Sequence, residues 1–271
     1  MSLESDRYHE RVVRHVESID DTRVGKLVME RGDETANSFT PSMVDAMTEA
    51  VEETIGDVRS LVLTGEGEFS VGADLRSFEE TPREMRPSMI DQTAAASNRF
   101  IRALRTAEIP VIAAVGGTAA GGGLGFALAC DLIVMHEEAV LDTAYARIGL
   151  TPDNATPFFL TQTIGPYRAR ELLFSPRPVE ADEAKDLGLA NIIYGGSSTE
   201  FEDRVMEYAT TMVTGPKSMQ AETKTLVDTA FVGDLDQHLE RERDTIKRIS
   251  DSESFDEGLT AFFEKRSPEW T

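Results

Sequence analysis

The sequence predicts an α/β fold. Short apolar strand-like runs alternate with amphipathic helical periods up to about residue 200, whereas only helical periods follow it. Hydrophobic residues make up 40 % of the chain, enough for a globular core. We therefore expect a β/α core over residues 1–200 and a C-terminal helical region over 201–271.

The strand candidates are 26–29, 61–63, 111–115 and 132–134, runs of leucine, valine, isoleucine and alanine bounded by polar or turn residues. A helix over 41–54 starts with Thr40 as its cap and Pro41 at its first position, where a missing N–H costs nothing. It places Met43, Val44, Met47 and Val51 on one face. Residues 93–104 repeat the period with Phe100, Ile101 and Leu104. Strands alternating with helices pair in parallel, through crossovers of one hand. Four further helical periods span 201–213, 219–231, 235–249 and 255–263, broken at Gly215-Pro216 and Gly233.

Residues 109–130 carry no charge and exceed the ~18 residues of a membrane span. Pro110 and the glycines at 116, 117, 121, 122, 123 and 125 argue instead for a strand, a glycine loop and a short helix. No membrane association is expected.

Asp and Glu number 49 against 27 Lys and Arg, a net charge of −22. Such a surface repels nucleic acid and anionic lipid, so neither is an expected partner. Lysine is confined to Lys26, Lys185, Lys217, Lys224, Lys247 and Lys265. Carboxylate-rich, lysine-poor surfaces resemble those of salt-loving organisms, where molar salt cuts the screening length to about 3 Å. The single cysteine, Cys130, lies in the apolar run Phe126-Ala127-Leu128-Ala129 and reads as a core thiol. The histidines His9, His15, His136 and His238 lack metal-ligand spacing, and no metal is expected. Charge from Glu4 onward, with no apolar stretch, predicts a cytoplasmic protein.

Two segments carry chemistry. Phe69-Ser70-Val71-Gly72-Ala73-Asp74-Leu75 follows a strand and the turn Gly65-Glu66-Gly67. Residues 114–126 run from a strand through Gly116-Gly117 and Gly121-Gly122-Gly123 into a helix. Glycine lets backbones approach closely, and amides at a helix start present the positive end of its dipole. The cluster is no phosphate loop, since it lacks the lysine of that motif. A tight packing turn and an anion-binding site both fit it.

In order and separation, these two segments resemble the FSxGADL and AAVxGxAxGGG…ACD motifs of the enoyl-CoA hydratase/isomerase (crotonase) family. Further likenesses cover nearly the whole chain: Glu30-Arg31 with residues 36–40 upstream, 180–189 downstream, and 257–266 near the end. The resemblance implies a ββα spiral core with helices at its C-terminal end, assembling as a homotrimer or homohexamer. It implies an acyl-CoA thioester as substrate, with coenzyme A part of that substrate and no separate cofactor. The backbone amides of Ala73 and Gly122 would then hold the thioester oxygen. Asp74, Leu75, Gly121 and Tyr145 would surround the substrate, and Phe262 and Lys265 match positions that reach a neighbour's CoA.

Hydratases of this family use two glutamates, and the matching positions here are Gly125 and Tyr145. Neither can work on water as a carboxylate does. Asp153 follows eight residues after Tyr145, in Ile148-Gly149-Leu150-Thr151-Pro152-Asp153. A helix cap before residues 155–163 is one role for it. The other comes from the resemblance: "GLxPD" is similar to members that shift double bonds in acyl-CoAs, with the aspartate as base. Asp153-Asn154-Ala155-Thr156 also resembles aryl-CoA dehalogenases, where the aspartate is a nucleophile. Those enzymes need an upstream histidine, near whose position this chain has Asn98. We expect an enoyl-CoA isomerase with Ala73, Gly122 and Asp153 as its catalytic groups. A hydrolase, a hydratase or an idle acyl-CoA-binding protein are the alternatives. The acyl group would be set by residues 78–89 and by Phe158-Phe159.

Overall fold

The computed structural model describes residues 3–19, 22–30 and 35–270; Arg31, quoted above, lies outside them. The chain opens with strands β1 (Leu3–His9), β2 (Val12–Ile19) and β3 (Thr22–Met29). Helix α1 (Pro41–Thr54) leads to β4 (Ser60–Gly65), and α2 (Leu75–Glu80) and α3 (Arg86–Thr106) lead to β5 (Val111–Val115). Next come β6 (Thr118–Ala120), α4 (Gly122–Ala129), β7 (Leu132–His136) and β8 (Val140–Asp142). A 3₁₀ turn at Tyr145–Ile148 precedes α5 (Thr156–Phe174), β9 (Val179–Glu180), α6 (Ala181–Asp186) and β10 (Ile192–Tyr194). Helices α7 (Ser198–Thr211), α8 (Lys217–Asp228), α9 (Leu235–Ile249) and α10 (Glu253–Glu264) complete it.

A seven-stranded sheet runs in the order β1-β2-β3-β4-β5-β7-β10. From β3 onward its neighbours are parallel, as the alternation of strands and helices predicts. The pairs β1–β2 and β2–β3 are antiparallel, which the sequence pattern does not predict. Their charged residues (β2 reads VVRHVESI) obscure the strand pattern. A second sheet joins the short strands β6, β8 and β9.

Both faces of the parallel strands are buried, which is why they read as unbroken apolar runs. Leu61, Leu63, Val111, Ala113 and Val115 pack toward α1, α3 and α4. Val62, Ile112, Ala114 and Val134 face the other way, against Phe201, Val205, Met206 and Ala209 of α7. Helix α1 buries Met43, Val44, Met47 and Val51 as its period requires, and Thr40 Oγ1 accepts from the Met43 amide at 3.4 Å. Helix α3 begins earlier than the expected residue 93 because its first turns are exposed and lack an apolar stripe.

Residues 109–130 form β5, β6 and α4, and no helix among the described residues is long and apolar enough to cross a membrane. Cys130 is buried at the end of α4, and burial raises its thiol pKa well above the ordinary value. Lys224 fastens α8 to this core, donating to the Leu104 carbonyl at 2.8 Å and to Asp131 Oδ2 at 2.9 Å.

Candidate active site

The loops that follow β4 and β5 are laced together by backbone hydrogen bonds. Ser70 N donates to the Thr118 carbonyl at 3.1 Å, and Ala120 N to the Ser70 carbonyl at 2.8 Å. The buried Asn37 braces the first loop, its Nδ2 donating to the carbonyls of Glu66 (3.1 Å) and Glu68 (2.6 Å). Phe39 then pairs with Ala73 in a parallel bridge: Phe39 N donates to Gly72 O, and Asp74 N to Phe39 O, each at 2.9 Å. In such a bridge the middle residue's own N–H points to the opposite side, so the Ala73 amide is turned away from Phe39.

Gly122 opens α4, where the first amides have no intrahelical acceptor. Gly72 has φ +97°, and a Cβ there would lie 3.0 Å from the Gly122 nitrogen and 3.2 Å from the Ala120 carbonyl. Only glycine lets the Ala73 loop come so near the start of α4.

Ala73, Gly121 and Gly122 line one open cavity of about 210 Å³ together with Leu75, Tyr145 and Asp153. Phe39, Phe78, Ile90 and Ile148 supply much of its apolar wall. Of the residues singled out in sequence, these six meet here. Asp74 is not in the wall; its Oδ1 caps α2 by accepting from Arg76 N at 3.0 Å. Phe262 and Lys265 sit at the end of α10, also outside the cavity wall, and the Phe262 side chain is exposed. Phe78 lines the cavity, while Phe158 and Phe159 lie on α5 outside its lining.

Asp153 does not cap a helix. Helix α5 begins at Thr156 after Ala155, with no side-chain cap. The Asp153 carboxylate instead accepts a hydrogen bond from the buried Tyr145 hydroxyl, 2.8 Å from Oδ1. The residue keeps an exposed surface at the cavity mouth, yet protein crowds its carboxyl group. That loss of solvent raises its pKa, and the Tyr145 hydrogen bond partly opposes the rise. Burial first, and the Asp153 charge second, raise the Tyr145 pKa far above its ordinary value, so the phenol stays protonated and remains a donor.

The position of Gly125 is filled from outside. A Cβ there would lie 2.5 Å from the Asn154 carbonyl and 2.6 Å from Asn154 Cβ. The turn that brings Asp153 to the cavity thus occupies the space a glutamate at 125 would need. Asn154 (φ 50°) and Ala155 (φ 55°) are both left-handed, an unfavourable geometry for residues other than glycine. Asn154 also lines the cavity, and nothing in its place between Asp153 and Ala155 marks a side chain that turns inward.

The enoyl-CoA hydratase/isomerase family model matches residues 22–271. The chain belongs to this family, and its fold is of the crotonase type. The 1,2-epoxyphenylacetyl-CoA isomerase of Escherichia coli is 30% identical over 241 residues, 88% of this chain and 91% of that protein. A 4-chlorobenzoyl coenzyme A dehalogenase from an Arthrobacter species is 33% identical over 214 residues, 79% of this chain and 77% of that one. Among solved structures, an enoyl-CoA hydratase from Polaromonas superposes with a TM-score of 0.86 at 30% identity, covering 94% of this chain and 99% of that one.

Proposed function

We propose that the protein isomerises an enoyl-CoA by moving a proton within the acyl chain, with Asp153 as the base. The amides of Ala73 and Gly122 hold the thioester oxygen, where two fixed donors lower the energy of an enolate. Asp153 takes a proton from the carbon next to the thioester, and the electron pair passes to that oxygen. The protonated Asp153, whose proton exchanges with solvent, then delivers a proton to the dienolate two carbons further along, so the double bond moves into conjugation and the carboxylate is restored. No water is consumed. Substrate is an acyl-CoA thioester, and coenzyme A enters only as part of it.

The Tyr145–Asp153 hydrogen bond carries this reading. It holds one carboxylate oxygen and leaves the other for a proton, while crowding makes the group a stronger base than an exposed aspartate. Supporting it, Gly125 and Tyr145 stand where the hydratase glutamates would be, and the space beside Gly125 is taken. Turnover in D₂O tests it. Label should enter the substrate carbons next to and beyond the double bond, and Asp153→Asn should slow turnover by about 10²–10⁴-fold. Unlabelled product, or an Asn variant as fast as wild type, overturns the proposal.

The likeness to the Arthrobacter dehalogenase supports a second reading. Here Asp153 attacks an aryl carbon, expels halide and forms an ester that water cleaves. None of the residues lining the cavity is a histidine that would activate that water. Single turnover in ¹⁸O water, with label found first in the protein, would favour it over proton transfer. We further propose a cytoplasmic trimer or hexamer. Exposed Phe231, Leu235, Leu239 and Ile246 on and beside α9 support assembly, which mass measurement in solution tests.

A further inference from the structure

Asn154 is 4% exposed and lines the same cavity, yet its Oδ1 is buried with no hydrogen-bond partner among the described residues. No described residue accepts a hydrogen bond from its Nδ2 either, so the donor end of this amide is also uncommitted, and such a group is seldom kept without use. Its backbone is left-handed, as is that of Ala155 after it, and this pair of unusual residues turns the side chain inward over α4. A Cβ added at Gly122 would lie 2.3 Å from Asn154 Nδ2. The amide nitrogen therefore fills the space directly beside Gly122, and glycine is needed there to admit it.

We propose that Asn154 is a further catalytic residue, its Nδ2 donating a third hydrogen bond to the thioester oxygen held by Ala73 and Gly122. This rests on the oxygen-binding role proposed above for those two amides. A side-chain donor differs from its backbone companions in one respect: it can be removed by substitution without altering the loop that carries it. It also stands next to the base in sequence, so one turn delivers both the proton acceptor and a donor for the charge that proton removal creates. Neither Asp153 nor the glycine cluster alone would couple them.

The test compares binding of a saturated acyl-CoA thioester with that of the matching alkyl-CoA thioether, which lacks the oxygen. Wild type should prefer the thioester. Asn154→Asp keeps the shape and loses the donor, and Asn154→Gly accepts the left-handed backbone; circular dichroism checks that each is folded. Both should lose about 3- to 10-fold of the thioester preference, with thioether affinity unchanged. Their kcat should fall about 10²-fold, because the donor counts most when the oxygen is charged. If folded variants keep the full preference, or lose thioester and thioether affinity together, Asn154 only packs the wall and the proposal fails. If wild type shows no preference at all, the oxygen-binding role of Ala73 and Gly122 fails first.

Discussion

The Tyr145 hydroxyl donates to Asp153 Oδ1 across 2.8 Å, joining two residues eight apart in the chain through a 3₁₀ turn and the irregular segment that follows it. The phenol gives the neighbouring carboxylate a fixed direction. One oxygen is fixed by that bond, and in the proposed reaction the other meets the substrate.

Removing that donor should disturb the base without removing it. In Tyr145→Phe the burial that raises the Asp153 pKa persists, whereas the hydrogen bond that lowers it is gone. The acid limb of the kcat/KM profile should therefore move to higher pH. Turnover should drop about tenfold, because the carboxylate loses the contact that orients it even as it becomes a stronger base. A profile that keeps its acid limb in place would separate Tyr145 from the titrating group.

Gly125 offers a packing test. Any side chain there meets the Asn154 backbone at 2.5 Å, and backbone does not yield as a flexible side chain would. We expect Gly125→Ala to cost about 1–3 kcal/mol in urea denaturation, the usual range for overfilling a packed site. Activity should fall as well, because the displaced turn carries Asp153. A glutamate there, Gly125→Glu, should give unstable protein and no hydration. A soluble Glu variant with wild-type stability would show that the turn can give way.

Salt acts on the whole surface. With a net charge of −22, self-repulsion should weaken the fold at low ionic strength and fade as the screening length shrinks to about 3 Å in molar salt. The thermal midpoint should rise steadily from dilute buffer to molar KCl. A flat response would mean that self-repulsion is already weak in dilute buffer and that the acidic surface is not an adaptation to salt.

The parallel strands could be read from sequence because both their faces are buried, and unbroken apolar runs such as Leu61-Val62-Leu63 leave little else to propose. The hairpin of β1 and β2 could not, because Asp6, Arg7, Arg14 and Glu17 interrupt the alternation with charge that pairs across the surface, as Arg14 does with Asp6. At the site, Ala73, Gly122 and Asp153 were found through motif likeness, and the structure brings them to one cavity. Spacing could not disclose the Tyr145–Asp153 bond or the inward turn of Asn154. Both depend on positive φ at Ala144, Asn154 and Ala155, and sequence rarely announces that geometry when glycine is absent.

Asp153 should also cost the protein stability at neutral pH. Crowding raises its pKa in the folded state above that of an unfolded aspartate. For such a group the fold is favoured while the carboxyl is protonated, and that advantage disappears as pH rises through the folded-state pKa. Asp153→Asn holds a neutral group of the same shape at every pH. The variant should therefore melt above wild type near neutrality. The difference should shrink on acidification and vanish below about pH 4, where even an unfolded aspartate is protonated. The same substitution should slow the reaction, so one residue would trade stability for chemistry, as strained active-site groups commonly do. Parallel melting curves from pH 3 to pH 8, each buffered at constant ionic strength, decide the matter. Should Asp153→Asn melt below wild type at neutral pH, the ionised carboxylate is a net stabiliser. Its hydrogen bond from Tyr145 would then outweigh the crowding, and the base would be weaker than proposed.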